Sequence, residues 1–294
     1  MGDFGSAEAA AGDAVEAVRL MRAAAGDAGV AAEDDGLAGA EAAAVNNHAL
    51  MLKNLGRHDE ALELYMEAVR AFRALHGEEH AYFADALVNT GLTLRAVGEG
   101  ATGMERLSSL EAAREHLEKA VSVRVALHGD GDPPHAQVAR ARMHLASVWQ
   151  RLGQTAEAEG ALVEAVKALR ATARGAANEP LATATNNLAY FYKTTGRFPE
   201  ARPLYRKALE DRTALLGAGH PDTISSAHNL AELLHAMGEE KEANRLRQGL
   251  LDTLEEQDIA NVGAATRELD AAEDAEAQKE KEIWKEPAPR KRRS

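Results

Sequence analysis

The chain has 294 residues, 45% of them apolar but only 4% aromatic, with no cysteine and a formal charge of −13. That balance excludes a disulfide-stapled fold and thiolate metal centres, and it argues against a nucleic-acid partner, which rewards a basic face. No apolar run approaches the roughly 20 residues that cross a bilayer, and alanine in quantity points to closely packed helices.

Residues 1–41 carry nine carboxylates against two arginines, so they do not read as a transit peptide, and they lack the basic, apolar start of a secretory signal. The opening MGDFGS sets Gly2 and Ser6 in a loose acylation pattern, but Asp3 and Phe4 beside the glycine and the lack of a polybasic patch point to an ordinary start. Within this segment residues 8–25 are expected to form a short helix, with Val15, Val18 and Met21 on the side that caps the adjoining helical hairpin.

From residue 42 the chain repeats itself. A glycine closes each of NLGR, AVGE, RLGQ, TTGR and AMGE, at Gly56, Gly98, Gly153, Gly196 and Gly238, with spacings of 42, 55, 43 and 42 residues. Nine residues before each stands Asn47, Asn89, His144, Asn187 or Asn229. Five residues after it, once an insertion at about 99–108 is allowed for, stands Ala61, Ala113, Ala158, Ala201 or Ala243. Each unit reads as a helical hairpin. In the fourth, Leu188, Ala189 and Tyr192 stripe a first helix that Gly196 ends. A second helix begins near Pro199 and buries Ala201, Leu204, Tyr205, Ala208 and Leu209. Gly217, Gly219, His220 and Pro221 then break the chain before the fifth unit. Such a hairpin cannot bury its apolar face alone, so the expected fold is all-α: about five hairpins stacked as a solenoid over 42–257, with flexible or helical tails at 1–41 and 258–294.

The stretch NNLAYFYKTTGRFPEARPLYRKALEDRTALLGAGHPDT resembles the tetratricopeptide repeat, in the long form found in kinesin light chains and nephrocystin-3-like proteins. The resemblance covers about residues 42–257. The second unit carries the insertion, and the third has His144 for asparagine and RGAANEP for the usual connection. It implies a right-handed solenoid acting as an intracellular, cytoplasmic protein-binding adaptor or scaffold. In such arrays the first helices line a concave groove, where a residue at the asparagine register hydrogen-bonds the backbone of an extended peptide. Carried over, this marks Asn47, Asn89, Asn187 and Asn229, with His144 as the departure. An amide suits that task because it both donates and accepts; it suits capping or bridging of neighbouring hairpins equally.

Six residues beyond the ladder come Lys53, Arg95, Gln150, Lys193 and His235; Arg140 lies four before His144, and Arg151 adjoins Gln150. The middle of the groove is therefore expected to be basic and to favour an acidic peptide, unless these long side chains merely keep an open surface soluble. Other motifs carry less. GEGATG matches the dinucleotide fingerprint through Gly98, Gly100 and Gly103, but it comes after a helix rather than a strand and is expected to be a flexible loop. His76 and His80 have the spacing of a zinc-binding helix, yet His80 recurs as His135 and His220 at the same connection, so the turn explains it; His48 is expected to pack rather than ligate. No serine elbow and no cysteine nucleophile is present. The expectation is a protein that is not an enzyme, without cofactor or metal, that binds protein or peptide partners. The alternative is a structural subunit of a larger assembly, packed through its convex face, insertion and tails. In the polar tail, Trp284 of KEIWKEP is a candidate anchor for a partner, and the final RKRRS is a solvated basic run.

Overall fold

The computed structural model describes residues 4–27, 31–131, 134–173 and 178–255. Among them are eleven helices and no strand. In chain order these are α1 (Phe4–Asp27), α2 (Ala31–Asn54), α3 (His58–His76), α4 (Ala81–Gly100), α5 (Gly103–His128) and α6 (Ala136–Arg151). Next come α7 (Thr155–Ala173), α8 (Glu179–Thr194), α9 (Phe198–Leu216) and α10 (Pro221–Ala236), and α11 over 240–255. The chain divides into two compact units within α9, one ending at Leu204 and the other starting at Tyr205. In the first unit α2 to α8 pack in sequence, each helix against the next.

The hairpin turns are a consequence of glycine. Gly56, Gly153, Gly196 and Gly238 have φ of 77°, 79°, 77° and 79°, a left-handed conformation that other residues enter only with strain. It lets the next amide reach back to the last helical turn: Arg57 N–H donates to Leu52 O at 3.0 Å, and Gln154, Arg197 and Glu239 do likewise to Trp149, Tyr192 and Leu234 at 2.8 Å. At the other end of the hairpin, histidine starts the helix. Nδ1 of His80, His135 and His220 accepts from the amides of Tyr82, Gln137 and Asp222 at 3.2, 3.3 and 3.2 Å. Asn178 takes the same part at the intervening connection, accepting from Leu181 N–H at 2.8 Å. The recurrence of this histidine is thus a helix cap, supported by stacking of His76 on His80 and of His128 on His135.

Within the second helices the repeated alanines face the core. Ala61, Ala113, Ala158, Ala201 and Ala243 are all completely buried, and one turn later Tyr65, Leu117, Leu162 and Tyr205 are buried too. Tyr65 places its hydroxyl in the core with no hydrogen-bond partner among the described residues, and burial pushes its phenol up to about 12.

Three expectations need correction. The N-terminal helix is longer than residues 8–25, and its stripe is wrong: Val15 is buried and Val18 half-buried, but Met21 is 59% exposed. Polar contacts complete the docking of α1 on α2. Arg19 and Arg22 meet Glu41 at 2.8 and 3.1 Å, and Glu8 meets the half-buried His48 at 3.0 Å. The insertion is not a flexible loop. Helix α4 runs on to Gly100, Ala101 and Thr102 make the turn, and α5 starts at Gly103, so the extra residues lengthen the hairpin. Gly98, finally, does not end its helix. It lies buried inside α4, where a Cβ would stand 3.1 Å from Leu110 Cγ and 3.3 Å from Arg106 O. At Gly91, two turns earlier, a Cβ would fall 2.6 Å from Leu117 Cγ and 3.1 Å from Ala113 O. These two glycines let α4 and α5 come backbone to backbone, and the left-handed residue of this hairpin is Gly103, with φ 57°. GEGATG thus spans a helix–turn–helix, which lacks the strand a pyrophosphate cradle needs.

Among the described residues no helix is long and apolar enough to cross a membrane. Gly2, Trp284 and the final basic run lie outside the described residues.

Candidate binding site

In the first unit α4 touches both α2 and α6, and α6 touches α8, so the first helices of successive hairpins form one row. The residues singled out from the sequence are distributed along it. On α2, Asn47 is exposed and Lys53 half-buried. On α4, Asn89 and Arg95 are half-buried; on α6, His144 is half-buried between the exposed Arg140 and Arg151. Asn187 and Lys193 are half-buried on α8, and Asn229 is half-buried on α10, in the second unit.

Three of them line one cleft. Between α4 and α6 lies a space of about 480 Å³ walled by Asp85 and Asn89, one turn apart on α4, and by Gln137, Arg140 and His144 on α6. Val88 and Leu92 give it an apolar side. The His144 imidazole is held down to about 4, first by burial and then by the charges of Arg140, Arg95 and Lys53. Charges from α6, α4 and α2, the first helices of three successive hairpins, therefore all act on one neutral ring. Lys53 is itself lowered, by burial and then by Arg95, and among the described residues neither Lys53 nor Arg140 has an ion-pair partner.

Two carboxylates approach this cluster, and both are engaged. Asp85 is paired with Arg124 of α5. Glu99 accepts from Arg95 at 3.1 Å and pairs with Arg151 at 3.0 Å. Two of the cations read from the sequence thus share an internal carboxylate, supplied by the inserted stretch, while Nε of Arg95 stays buried without a partner among the described residues. The asparagine ladder has a structural part as well: Asn89 Nδ2 donates to Asn46 Oδ1 at 3.1 Å, tying α4 to α2. Asn46 and Glu99 were not singled out from the sequence. The doublet Asn46–Asn47, echoed at Asn186–Asn187, was the available signal for the first; for the second it was the four-residue spacing of Arg95 and Glu99, which pairs them once α4 runs past Gly98. Gln150, on the same row, donates to Thr194 Oγ1 at 2.6 Å and links α6 to α8.

Paired helices of constant register, stacked through buried alanines and ended by left-handed glycines, define an α-helical repeat array. Models of the tetratricopeptide repeat match residues 40–99 and 180–252, and again residues 139–164. The chain belongs to the tetratricopeptide-repeat family. Among solved structures, BtubC (BKLC) from P. vanneervenii is similar at TM-score 0.64 and 18% identity, over 100% of this chain and 98% of that one. A Podosopora anserina protein with kinesin light chain nearly identical TPR-like repeats gives 0.55 and 21%, over 73% of this chain and 94% of that one. The Rap conjugation gene regulator of the plasmid pLS20, solved with the Phr* peptide, gives 0.57 and 14%, over 78% and 56%. In sequence, the clustered mitochondria protein homolog of Meyerozyma guilliermondii is 27% identical over 162 residues, 55% of this chain but 12% of the relative. That of Debaryomyces hansenii is 41% identical over 64 residues, 22% of this chain and 5% of the relative. The chain therefore matches only a small part of these curated relatives.

Proposed function

We propose that this chain is an adaptor that holds an extended, acidic peptide segment along the row of α2, α4, α6 and α8. Proteins of its family mediate protein–protein interaction. The observation that carries the finer reading is the cleft in which Arg140 stands beside Asn89 and His144, with the charges of Arg95 and Lys53 also acting on the His144 ring. The chain is acidic as a whole, yet this cleft is cationic beyond what Asp85 and Glu99 compensate. A local field of that sign steers and orients an acidic segment. Asn89 keeps donor and acceptor capacity beyond its bond to Asn46, and Asn47 and Asn187 would extend peptide contacts along neighbouring helices. The Rap regulator, solved in complex with a peptide, gives a precedent for peptide binding on a fold of this kind.

The test is selection of displayed random peptides on the full chain. Enriched peptides are expected to be rich in Asp and Glu, to bind more weakly as salt rises, and to lose about tenfold in affinity, ~1.4 kcal/mol, to Arg140→Glu with helicity unchanged. Selection indifferent to that substitution would refute the proposal.

A further inference from the structure

We infer that the groove between α7 and the start of α9 receives an extended segment of a partner protein, one in which bulky apolar side chains stand beside carboxylates. The groove encloses about 820 Å³ and lies wholly in the first unit. It shares no lining residue with the cleft between α4 and α6, so it is a second site, independent of the acidic-peptide reading. Val163 and Val166 of α7, Tyr192 of α8, and Pro199 and Pro203 of α9 give it an apolar lining, and Val163 is 43% exposed. Apolar surface gathered in a concave groove marks a docking site, unlike the scattered exposure that any protein shows.

Charge and a missing amide say what kind of segment fits. Lys167 and Arg170, one turn apart on α7, also line the groove, and among the described residues Arg170 has neither a hydrogen-bond nor an ion-pair partner. The carboxylate of the opposite wall does not answer it, because both oxygens of Glu200 accept from Arg197 at 2.6 Å. That guanidinium also donates to Glu159 at 2.6 Å and lies 4.2 Å over the Tyr192 ring, which fixes this wall in place. The occupant therefore supplies the carboxylate that Arg170 lacks. The missing amide is that of Pro203, a proline inside α9. The helical bond from residue 203 to the Pro199 carbonyl cannot form, and the Pro203 ring crowds that carbonyl. A helix carbonyl is directed toward the residue four further on, and both prolines line the groove. The acceptor thus lies between them on the groove wall, open to an N–H of an extended segment. A helical ligand spends its amides on itself and has none to offer along its length.

The experiment selects displayed random peptides on the full chain carrying Arg140→Glu, which removes the cationic residue of the cleft between α4 and α6 from the selection. Enriched peptides are expected to pair Leu, Ile, Val or Phe with Asp or Glu. Arg170→Glu and Val163→Asp, both at exposed positions, are each expected to weaken these peptides about tenfold with helicity unchanged. Pro203→Ala restores the missing amide, so it is expected to raise the melting temperature and yet weaken binding by about two- to tenfold. A merely structural role for this wall would not produce that opposition. No enrichment, or peptides indifferent to both Arg170→Glu and Val163→Asp, overturns the inference and leaves the acidic-peptide reading standing. Affinity unchanged in Pro203→Ala overturns the part assigned to the Pro199 carbonyl and with it the extended form of the occupant.

Discussion

His144 is half-buried, and that burial, with the charges of Arg140, Arg95 and Lys53, keeps the proton it would accept at 6.5 in the unfolded chain off the ring until about pH 4 in the folded one. Above pH 6.5 neither state carries that proton, and the group has no effect on stability. Below it the unfolded chain gains a proton that the folded chain lacks, so stability falls by about 1.36 kcal/mol per pH unit. The loss levels off near pH 4 and amounts to roughly 3 kcal/mol, a large share of the roughly 5–15 kcal/mol that hold a domain folded. His144→Asn removes the titration while keeping the residue type of the ladder. Urea unfolding of both proteins, monitored by circular dichroism from about pH 7.5 down to about pH 4, reads the difference. The remaining histidines and carboxylates titrate in both proteins and cancel. The offset between variant and wild type is expected to be constant above pH 6.5, then to grow in favour of the variant by roughly 3 kcal/mol. Parallel profiles over the whole range would refute the environment assigned to this residue.

Gly91→Ala should cost about 1–3 kcal/mol and lower the melting temperature, because the new methyl meets Leu117 and the Ala113 carbonyl. Gly160→Ala, in α7 with open space where its Cβ would stand, should gain about 0.5–1 kcal/mol in the same assay. Tyr65→Phe removes a hydroxyl that is buried without a partner, so thermal unfolding should show no loss or a gain of up to about 1 kcal/mol. Asn178→Ala deletes the cap on the Leu181 amide and should cost about 1 kcal/mol, with faster amide exchange in the first turn of α8.

Repetition made the hairpins legible because their determinants are local. A left-handed turn demands glycine at Gly56, Gly153, Gly196 and Gly238, and close helix contact demands alanine five residues later. The same reasoning failed at Gly98, where glycine serves the approach of α5 instead of a turn, a tertiary demand that looks identical in one dimension. GEGATG suggested a loop by its glycine content, yet two of those glycines lie inside α4. Which cations fall on the middle row was readable by counting along the helices. The pairing of Glu99 with Arg151 was not readable, since it joins residues 52 positions apart through the stacking of α4 on α6. An asparagine, likewise, does not declare in sequence whether its amide faces a ligand or, as Asn89 does, a neighbouring helix.

The lengthened second hairpin has a practical consequence. Helix α5 has 26 residues against 19 in α3 and in α7, a difference worth about 10 Å at 1.5 Å per residue. Its extra length is added at the turn, away from the connections that pass the chain to the next repeat, so this tip can vary while the spacing of the row of first helices stays fixed. Because the chain has no cysteine, a single thiol introduced by Thr102→Cys at that turn would be unique. It would serve as an attachment point for a fluorophore or a surface tether, on the one hairpin that outreaches its neighbours in the first unit.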